Sequence, residues 1–306
     1  MKKGVYILSG FLGSGKTTLL KQLLQSLKDH DKKPAVLMNE LGSVSIDSDA
    51  VDDDTALREL LDGCICCTIS EKLESQLQEL LLNEDFDVLV IETTGAAHPV
   101  EVVDSILSPL FADRFEFRGI ITVVDGLQWR NRGGFSPAVL HLMREQIRYA
   151  EYIVANKMDL LTDMEQGTFS YELQQINQNA KVYLTNYSQV SMKDILSLSA
   201  EQGLFSHDHA SIGDHLTLQA VVYTFTGTVN GEAFEEWVKA QPDTIYRMKG
   251  YVPLQGRKYP TLFQYSYGMP LFMPGEMKYP ANFVIIGENI HKEEIIQSLQ
   301  KIDLKK

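Results

Sequence analysis

The first two-thirds of the chain alternate short, continuous apolar runs with segments whose leucines recur at helical spacing. Val5-Tyr6-Ile7-Leu8-Ser9 is one such run, and Leu19, Leu20, Leu23, Leu24 and Leu27 follow it on one face of a predicted helix. Ala35-Val36-Leu37-Met38 predicts a second strand, and Leu73, Leu77, Leu80 and Leu81 mark another helix. Val88-Leu89-Val90-Ile91, Ile120-Ile121-Thr122-Val123-Val124 and Tyr152-Ile153-Val154-Ala155 predict further strands, each ending in a polar residue, and Lys181-Val182-Tyr183-Leu184 closes the set. Strands that are apolar throughout, rather than at alternate positions, are buried on both faces. The pattern therefore predicts an α/β unit with a mostly parallel sheet covered by helices on each side.

The pattern changes at a polar connector, Gly203 to His209. Beyond it the sequence predicts a strand over Leu216 to Phe225 and a helix over Glu232 to Ala240. Two or three strands follow between Ile245 and Met273, then a strand at Phe283-Val284-Ile285-Ile286 and a last helix from Lys292 to Leu299. Consecutive strands without helices between them indicate a smaller α+β domain. The expected organisation is a first domain over residues 1–202, a linker over 203–215 and a second domain over 216–306.

Composition narrows the function classes. The 306 residues carry a formal charge of -13 and contain no basic run. A nucleic-acid partner, which needs a basic face to displace counterions, is not expected. Lys2 and Lys3 before Val5 to Leu8 faintly imitate a secretory leader, but Gly10 to Lys16 breaks the apolar run, and no stretch approaches the ~18 apolar residues of a membrane span. A cytoplasmic protein without a membrane partner is expected. All 3 cysteines fall within Gly63-Cys64-Ile65-Cys66-Cys67. Such a cluster cannot staple distant parts of a fold and suggests metal or thiol chemistry.

Gly10-Phe11-Leu12-Gly13-Ser14-Gly15-Lys16-Thr17 fits G-x-x-x-x-G-K-[ST], directly after a strand and before a helix. Glycines there let backbone N–H groups converge on phosphate oxygens, and the helix N-terminus adds positive potential. Lys16 is expected to reach the β- and γ-phosphates and to be partly solvated otherwise, Thr17 to ligate Mg²⁺, and Gly10, Gly13, Ser14, Gly15 and Thr18 to line the cradle. Asn156-Lys157-Met158-Asp159 closes a later strand, at the carboxyl edge where such sheets bind ligands. A carboxylate at Asp159 accepts both the N1–H and the 2-amino group of guanine, and adenine offers neither donor. Between these motifs, Glu92-Thr93-Thr94-Gly95 places a carboxylate near the Mg²⁺ and γ-phosphate and a glycine whose N–H can approach the latter. Asp125 ends the next strand and is either a second acidic candidate at that edge or a cap for the following segment. Asn39-Glu40-Leu41-Gly42 and Asp47 follow the second strand, where nucleotide-sensing loops lie.

Cys64, Cys66 and Cys67 offer three soft ligands to Zn²⁺ or Co²⁺, which would need a fourth to complete a tetrahedron. Buried structural cysteines are the bland alternative. With Gly10 to Thr18, Asn39-Glu40, Gly42, Ile46-Asp47, Gly63 to Cys67, Glu92 to Gly95, Asp125 and Asn156 to Asp159 in this order, the chain resembles the CobW-like branch of the P-loop GTPases, which includes the nickel chaperones HypB and UreG. Arg247, Lys249-Gly250 and Phe283 to Gly287 look like that branch's C-terminal domain. The resemblance implies GTP hydrolysis coupled to delivery of zinc or cobalt to a client metalloprotein, with Glu40 as the fourth ligand. The chain departs from the branch at Ser43 and at His98, where an acidic residue is frequent. His207, His209 and His215 lie in the connector, either as metal-capturing residues or as a solvated linker.

The expected activity is therefore that of a metal-linked GTPase, with Lys16, Thr17 and Glu92 at the chemistry, GTP and GDP as ligands, and a homo-oligomer compatible with the sequence. Two alternatives differ in class. One is a metal-homeostasis regulator or buffer whose metal affinity is tuned by nucleotide. The other is a P-loop small-molecule kinase with structural cysteines.

Overall fold

The computed structural model describes residues 2–38, 56–59, 69–197, 218–266, 268–288 and 290–304. These form two units, one built from Met1–Ser105 with Glu116–His215, the other from Ile106–Phe115 with Leu216–Lys306.

In the first unit, β1 (Lys3–Ser9), β2 (Pro34–Met38), β3 (Ala56–Glu59), β4 (Val88–Glu92), β5 (Phe115–Asp125), β6 (Tyr152–Asn156) and β7 (Lys181–Leu184) make a seven-stranded sheet in the order β3-β2-β4-β1-β5-β6-β7. The pairings β1–β4, β2–β3, β2–β4, β5–β6 and β6–β7 are parallel. Every residue of β2, β4 and β6 is buried, as the continuous apolar runs require. Edge strand β7 is mostly exposed. β3 is an addition to the strands that the sequence pattern predicts. Its four residues, Ala-Leu-Arg-Glu, have no β-branched run, and its identity as a strand comes from pairing with β2.

Helix α1 (Lys16–Asp29) buries Leu19, Leu20, Leu23, Leu24 and Leu27 against β1, β2 and β4, so the predicted leucine stripe is the core face. Around the sheet lie α2 (Ile69–Asn83), α3 (Pro99–Ile106), α4 (Gly126–Arg130), α5 (Pro137–Arg148), α6 (Asp163–Ile176) and α7 (Met192–Leu196). Helix α6 starts at a capping box: the Thr162 hydroxyl accepts from the Glu165 N–H, and Glu165 accepts from the Thr162 N–H at 2.8 Å. Because the strands run the same way, Ser9, Glu92, Asp125 and Asn156 all end at one edge of the sheet. In register, Leu8 lies beside Glu92 and Asp125 beside Asn156.

In the second unit, β8 (Leu218–Thr224), β9 (Thr228–Val229), α8 (Gly231–Lys239), β10 (Ile245–Val252), β11 (Thr261–Ser266), β12 (Met269–Met273), β13 (Asn282–Glu288), α9 (Lys292–Ile302) and β14 (Asp303–Leu304) follow in order. Five of the strands form an antiparallel sheet, β12-β11-β10-β13-β8. Phe234 and Trp237 of α8 pack with Phe263 and Phe283 from the sheet and Ile295 and Leu299 of α9. The Ile106–Phe115 stretch is tied to this unit by the Asn282 side-chain amide, which donates to Pro109 O at 3.1 Å. None of the described helices is long and apolar enough to cross a membrane.

One half-buried acid gives the first unit a pH dependence. Glu151, just before β6, accepts the backbone N–H of Ile120, and burial pushes its carboxyl up to about 8 from the ordinary 4.5. A raised carboxyl contributes its full stabilisation below the unfolded value. That contribution is lost as pH rises through the folded value, because only the unfolded chain then ionises freely. Glu151→Gln, which keeps an acceptor for Ile120, is expected to raise Tm by several degrees at about pH 8 and to leave it nearly unchanged at about pH 4. Calorimetry across that window checks this, and parallel curves for the two proteins would count against it.

Candidate functional site

The turn between β1 and α1 is shaped by three glycines with left-handed φ: Gly10 at 133°, Gly13 at 73° and Gly15 at 112°. Gly15 shows why only glycine fits. A Cβ there would sit 2.5 Å from Asn156 Nδ2 and 2.8 Å from Ser188 Oγ, besides being strained at that φ. The close approach lets the Asn156 amide, 2% exposed, donate to Ser14 O at 2.8 Å. Its Oδ1 accepts the Ser188 N–H at 2.9 Å, and the Ser188 hydroxyl donates to Gly15 O at 3.1 Å. Three loops at the same sheet edge are thereby joined.

Lys16, the first residue of α1, is more buried than the sequence reading expects. It is 8% exposed, and its Nζ donates to Gly10 O at 2.9 Å and Phe11 O at 3.3 Å. The loop wraps its own lysine, because an ammonium needs acceptors and the glycine-rich turn points carbonyls inward at it. Thr17 Oγ1 donates to Glu92 Oε1 at 3.0 Å. The sheet register brings β4 beside β1, so residues 75 apart in sequence meet at hydrogen-bond distance. Thr18 is exposed, and Ser14 is fully buried.

Gly95 packs directly on the phosphate loop: a Cβ there would lie 2.6 Å from both the backbone nitrogen and Cγ of Leu12. The loop carrying it is held by Gln146 of α5, 1% exposed, whose amide donates to Gly95 O at 3.1 Å and Ala97 O at 3.3 Å. One residue further, His98 Nε2 lies 3.8 Å from Glu145 Oε2. The nearby His98 imidazole, with the Arg148 charge adding to it, holds the Glu145 carboxyl below the usual carboxylate range despite burial. His98 thus has an acidic partner on α5.

At the far end of the site, Lys157 takes a left-handed φ of 61° and turns the chain after β6. The Asp159 backbone N–H donates to Asn186 Oδ1 at 2.8 Å, fixing that turn to the segment after β7. The Asp159 side chain is exposed, and among the described residues no hydrogen bond or ion pair engages its carboxylate. Asp125 resolves in favour of the cap: its Oδ1 accepts the Gln128 N–H at 3.0 Å at the start of α4. Its other oxygen pairs with Lys157.

Glu40, Cys64, Cys66 and Cys67 lie outside the described residues, as do Asn39, Gly42, Ser43, Asp47, His207, His209 and His215. Among the described residues no group of three or more His, Cys, Asp or Glu side chains is arranged to hold a metal ion. The sequence reading missed Ser188, Gln146 and Gln128. A faint signal existed for Ser188, since Thr185-Asn186-Tyr187-Ser188 is a polar run at a strand's carboxyl end.

Known proteins match both units. Residues 4–184 match the CobW/HypB/UreG nucleotide-binding domain, and residues 218–303 match the cobalamin synthesis protein CobW C-terminal domain. The zinc chaperone YjiA of Escherichia coli strain K12 is 30% identical over 312 residues, covering 95% of this chain and 96% of YjiA. The zinc-regulated GTPase metalloprotein activator 1 of Dictyostelium discoideum is 30% identical over 69% of this chain and 50% of its own length. A crystal structure of Zn(II)-bound YjiA GTPase from E. coli shares the fold with a TM-score of 0.51 at 24% identity, across 99% of each chain. With its nucleotide-binding domain matched over residues 4–184 and its C-terminal domain over 218–303, the chain belongs to the CobW/HypB/UreG family.

Proposed function

We propose that this protein is a cytoplasmic metal-linked GTPase that binds Mg·GTP and couples its hydrolysis to transfer of a zinc or cobalt ion to a client metalloprotein. The observation that carries the nucleotide half is the Asn156 amide bridging Ser14 of the phosphate loop and Ser188. It joins a phosphate cradle and a guanine-reading turn into one site. Similarity to a zinc chaperone and to a zinc-regulated GTPase supports the metal half.

Within this reading, Lys16 turns from its two loop carbonyls to the β- and γ-phosphates, where an ammonium meets full negative charge rather than a carbonyl dipole. Thr17 and Glu92 suit Mg²⁺: two hard oxygens stand 3.0 Å apart at the end of the cradle. Mg²⁺ when bound supplies charge neutralisation at the transferred phosphoryl group. Gly95, pressed on Leu12, belongs to a loop that shifts when a γ-phosphate needs that space. Asp159 reads guanine. The metal is cargo, held by Cys64, Cys66 and Cys67 with Glu40 as fourth ligand, and the cysteine segment lies in sequence between the two loops that respond to nucleotide.

If metal and γ-phosphate favour the same arrangement of those loops, each must alter the other's affinity by the same factor. A non-hydrolysable GTP analogue is expected to change zinc affinity relative to GDP by roughly 5–150-fold. Replacing Cys66 and Cys67 with Ser should remove the change. Competition titration against a chromophoric chelator measures it. Equal zinc affinities in the nucleotide-free, GDP and analogue states would end the switch reading even if both ligands bind. Phosphate release from GTP without an added acceptor separates the GTPase from a kinase. Client activation only with hydrolysable GTP separates the chaperone from a buffer.

A further inference from the structure

Asp125 and Gln128 take no part in the phosphate or base chemistry described above, yet they complete a ring of contacts between the two loops that do. Asp125 is 4% exposed at the end of β5. Its Oδ1 accepts the Gln128 backbone N–H, and its Oδ2 lies 2.6 Å from Lys157 Nζ. That ammonium also donates to Gly13 O at 2.9 Å. Gln128 then returns to the phosphate loop, its Nε2 donating to Leu12 O at 2.8 Å. Two adjacent carbonyls of the phosphate loop are therefore gripped by two side chains, and one buried carboxylate orients both. It does so through charge on Lys157 and through the helix cap on Gln128.

The chemistry of each member suits this arrangement. An ammonium has three donors and no acceptor, so anchoring one on Asp125 and one on Gly13 O fixes where its stem runs through the base-reading turn. The carboxylate is nearly sealed from water and the lysine is only partly exposed, so their attraction is weakly screened. Asn at position 125 would keep an acceptor for the cap but would lose the charge.

We propose that Asp125 and Gln128 are positioning residues that couple base recognition to phosphate binding, so that the guanine-reading turn and the phosphate loop hold or release nucleotide together. This rests on the GTP reading above. Once Asp125 is neutralised, Lys157 is held by Gly13 O alone, and the Asn156 amide is left as the remaining side-chain link described above between the base-reading turn and the phosphate loop.

The test is dissociation of a fluorescent GDP analogue from the full chain. Asp125→Asn is expected to speed release about tenfold, since losing one partner of a buried charge pair acts mainly on the off-rate. Gln128→Ala, a change on the half-exposed turn of α4 that leaves the cap in place, should speed release about threefold through the loss of one neutral hydrogen bond. Because Asp125 and Lys157 share one contact, Asp125→Asn and Lys157→Met should combine to less than the product of their separate effects. A merely structural role predicts instead a lower Tm with unchanged release. Off-rates within twofold of wild type, or effects of Asp125→Asn and Lys157→Met that simply multiply, overturn the proposal. If off-rates are unchanged in the Asp125 and Gln128 variants while Asp159→Asn still switches the protein to xanthosine nucleotides, the coupling falls and the GTP reading stands. If the wild-type chain does not bind the analogue at all, both fall.

Discussion

Lys16→Ala is expected to lower the GTP hydrolysis rate by ~10²–10³-fold, the usual consequence of removing one preorganised donor from a developing oxyanion. The structure explains why the fold should survive. Lys16 is 8% exposed, but its ammonium is satisfied by Gly10 O and Phe11 O of its own loop and not by the apolar core. Alanine is the best helix former at the start of α1, and although Gly10 O is buried, Phe11 O lies in a part-buried stretch beside exposed Leu12. Loss of the two side-chain bonds should cost about 1–3 kcal/mol. The expected result is a protein with native circular dichroism, a Tm lowered by several degrees and almost no phosphate release. Retained turnover with native-like spectra would mean that the loop does not act on phosphate.

The second large effect concerns the base. Wild-type protein is expected to prefer GTP over ATP by on the order of 10⁴-fold, because a site built to accept two donors penalises a ligand that offers neither. Asp159→Asn should reverse the order between guanine and xanthine nucleotides. An Asn side chain presents an amide N–H where guanine has its 2-amino group, a donor facing a donor, whereas xanthine places an acceptor there. The substitution should leave the surrounding loop unchanged. Asp159 is exposed, and the contact that fixes its turn is made by its backbone N–H to Asn186 Oδ1. Competition binding of GTP, XTP and ATP reads the switch, and equal GTP and ATP affinities in the wild type would sink the assignment of this turn to guanine.

What the sequence by itself determined about this protein is whatever can be specified locally. Val5 to Ser9 followed by Gly10 to Thr17 and a leucine stripe must be strand, anion-cradling turn and helix, because glycine spacing and helical periodicity act within one short stretch of backbone. The continuous apolar runs likewise require a sheet buried on both faces, and parallel strands place all their carboxyl ends, with Glu92 and Asn156, at one edge. The α+β character of the second unit was legible from strands that follow one another without helices, whereas their antiparallel pairing came from the structure. His98 and Asp125 could not be resolved this way, because a polar side chain's role is set by its neighbour and the neighbour is chosen by strand order. Asn156 reaches Ser14 across 142 residues, Gln128 reaches Leu12 across 116, and Gln146 reaches Gly95 across 51. Asp125 could have been a ligand for a cation at the phosphates. The register of β5 against β6 instead puts it beside Asn156, within reach of Lys157. β3 shows the same limit in the backbone: Ala-Leu-Arg-Glu carries no strand signal, and only the unpaired edge of β2 makes it one. The motifs were therefore sequence properties, whereas the contacts that hold them in one site depend on strand neighbours, which only the tertiary structure decides.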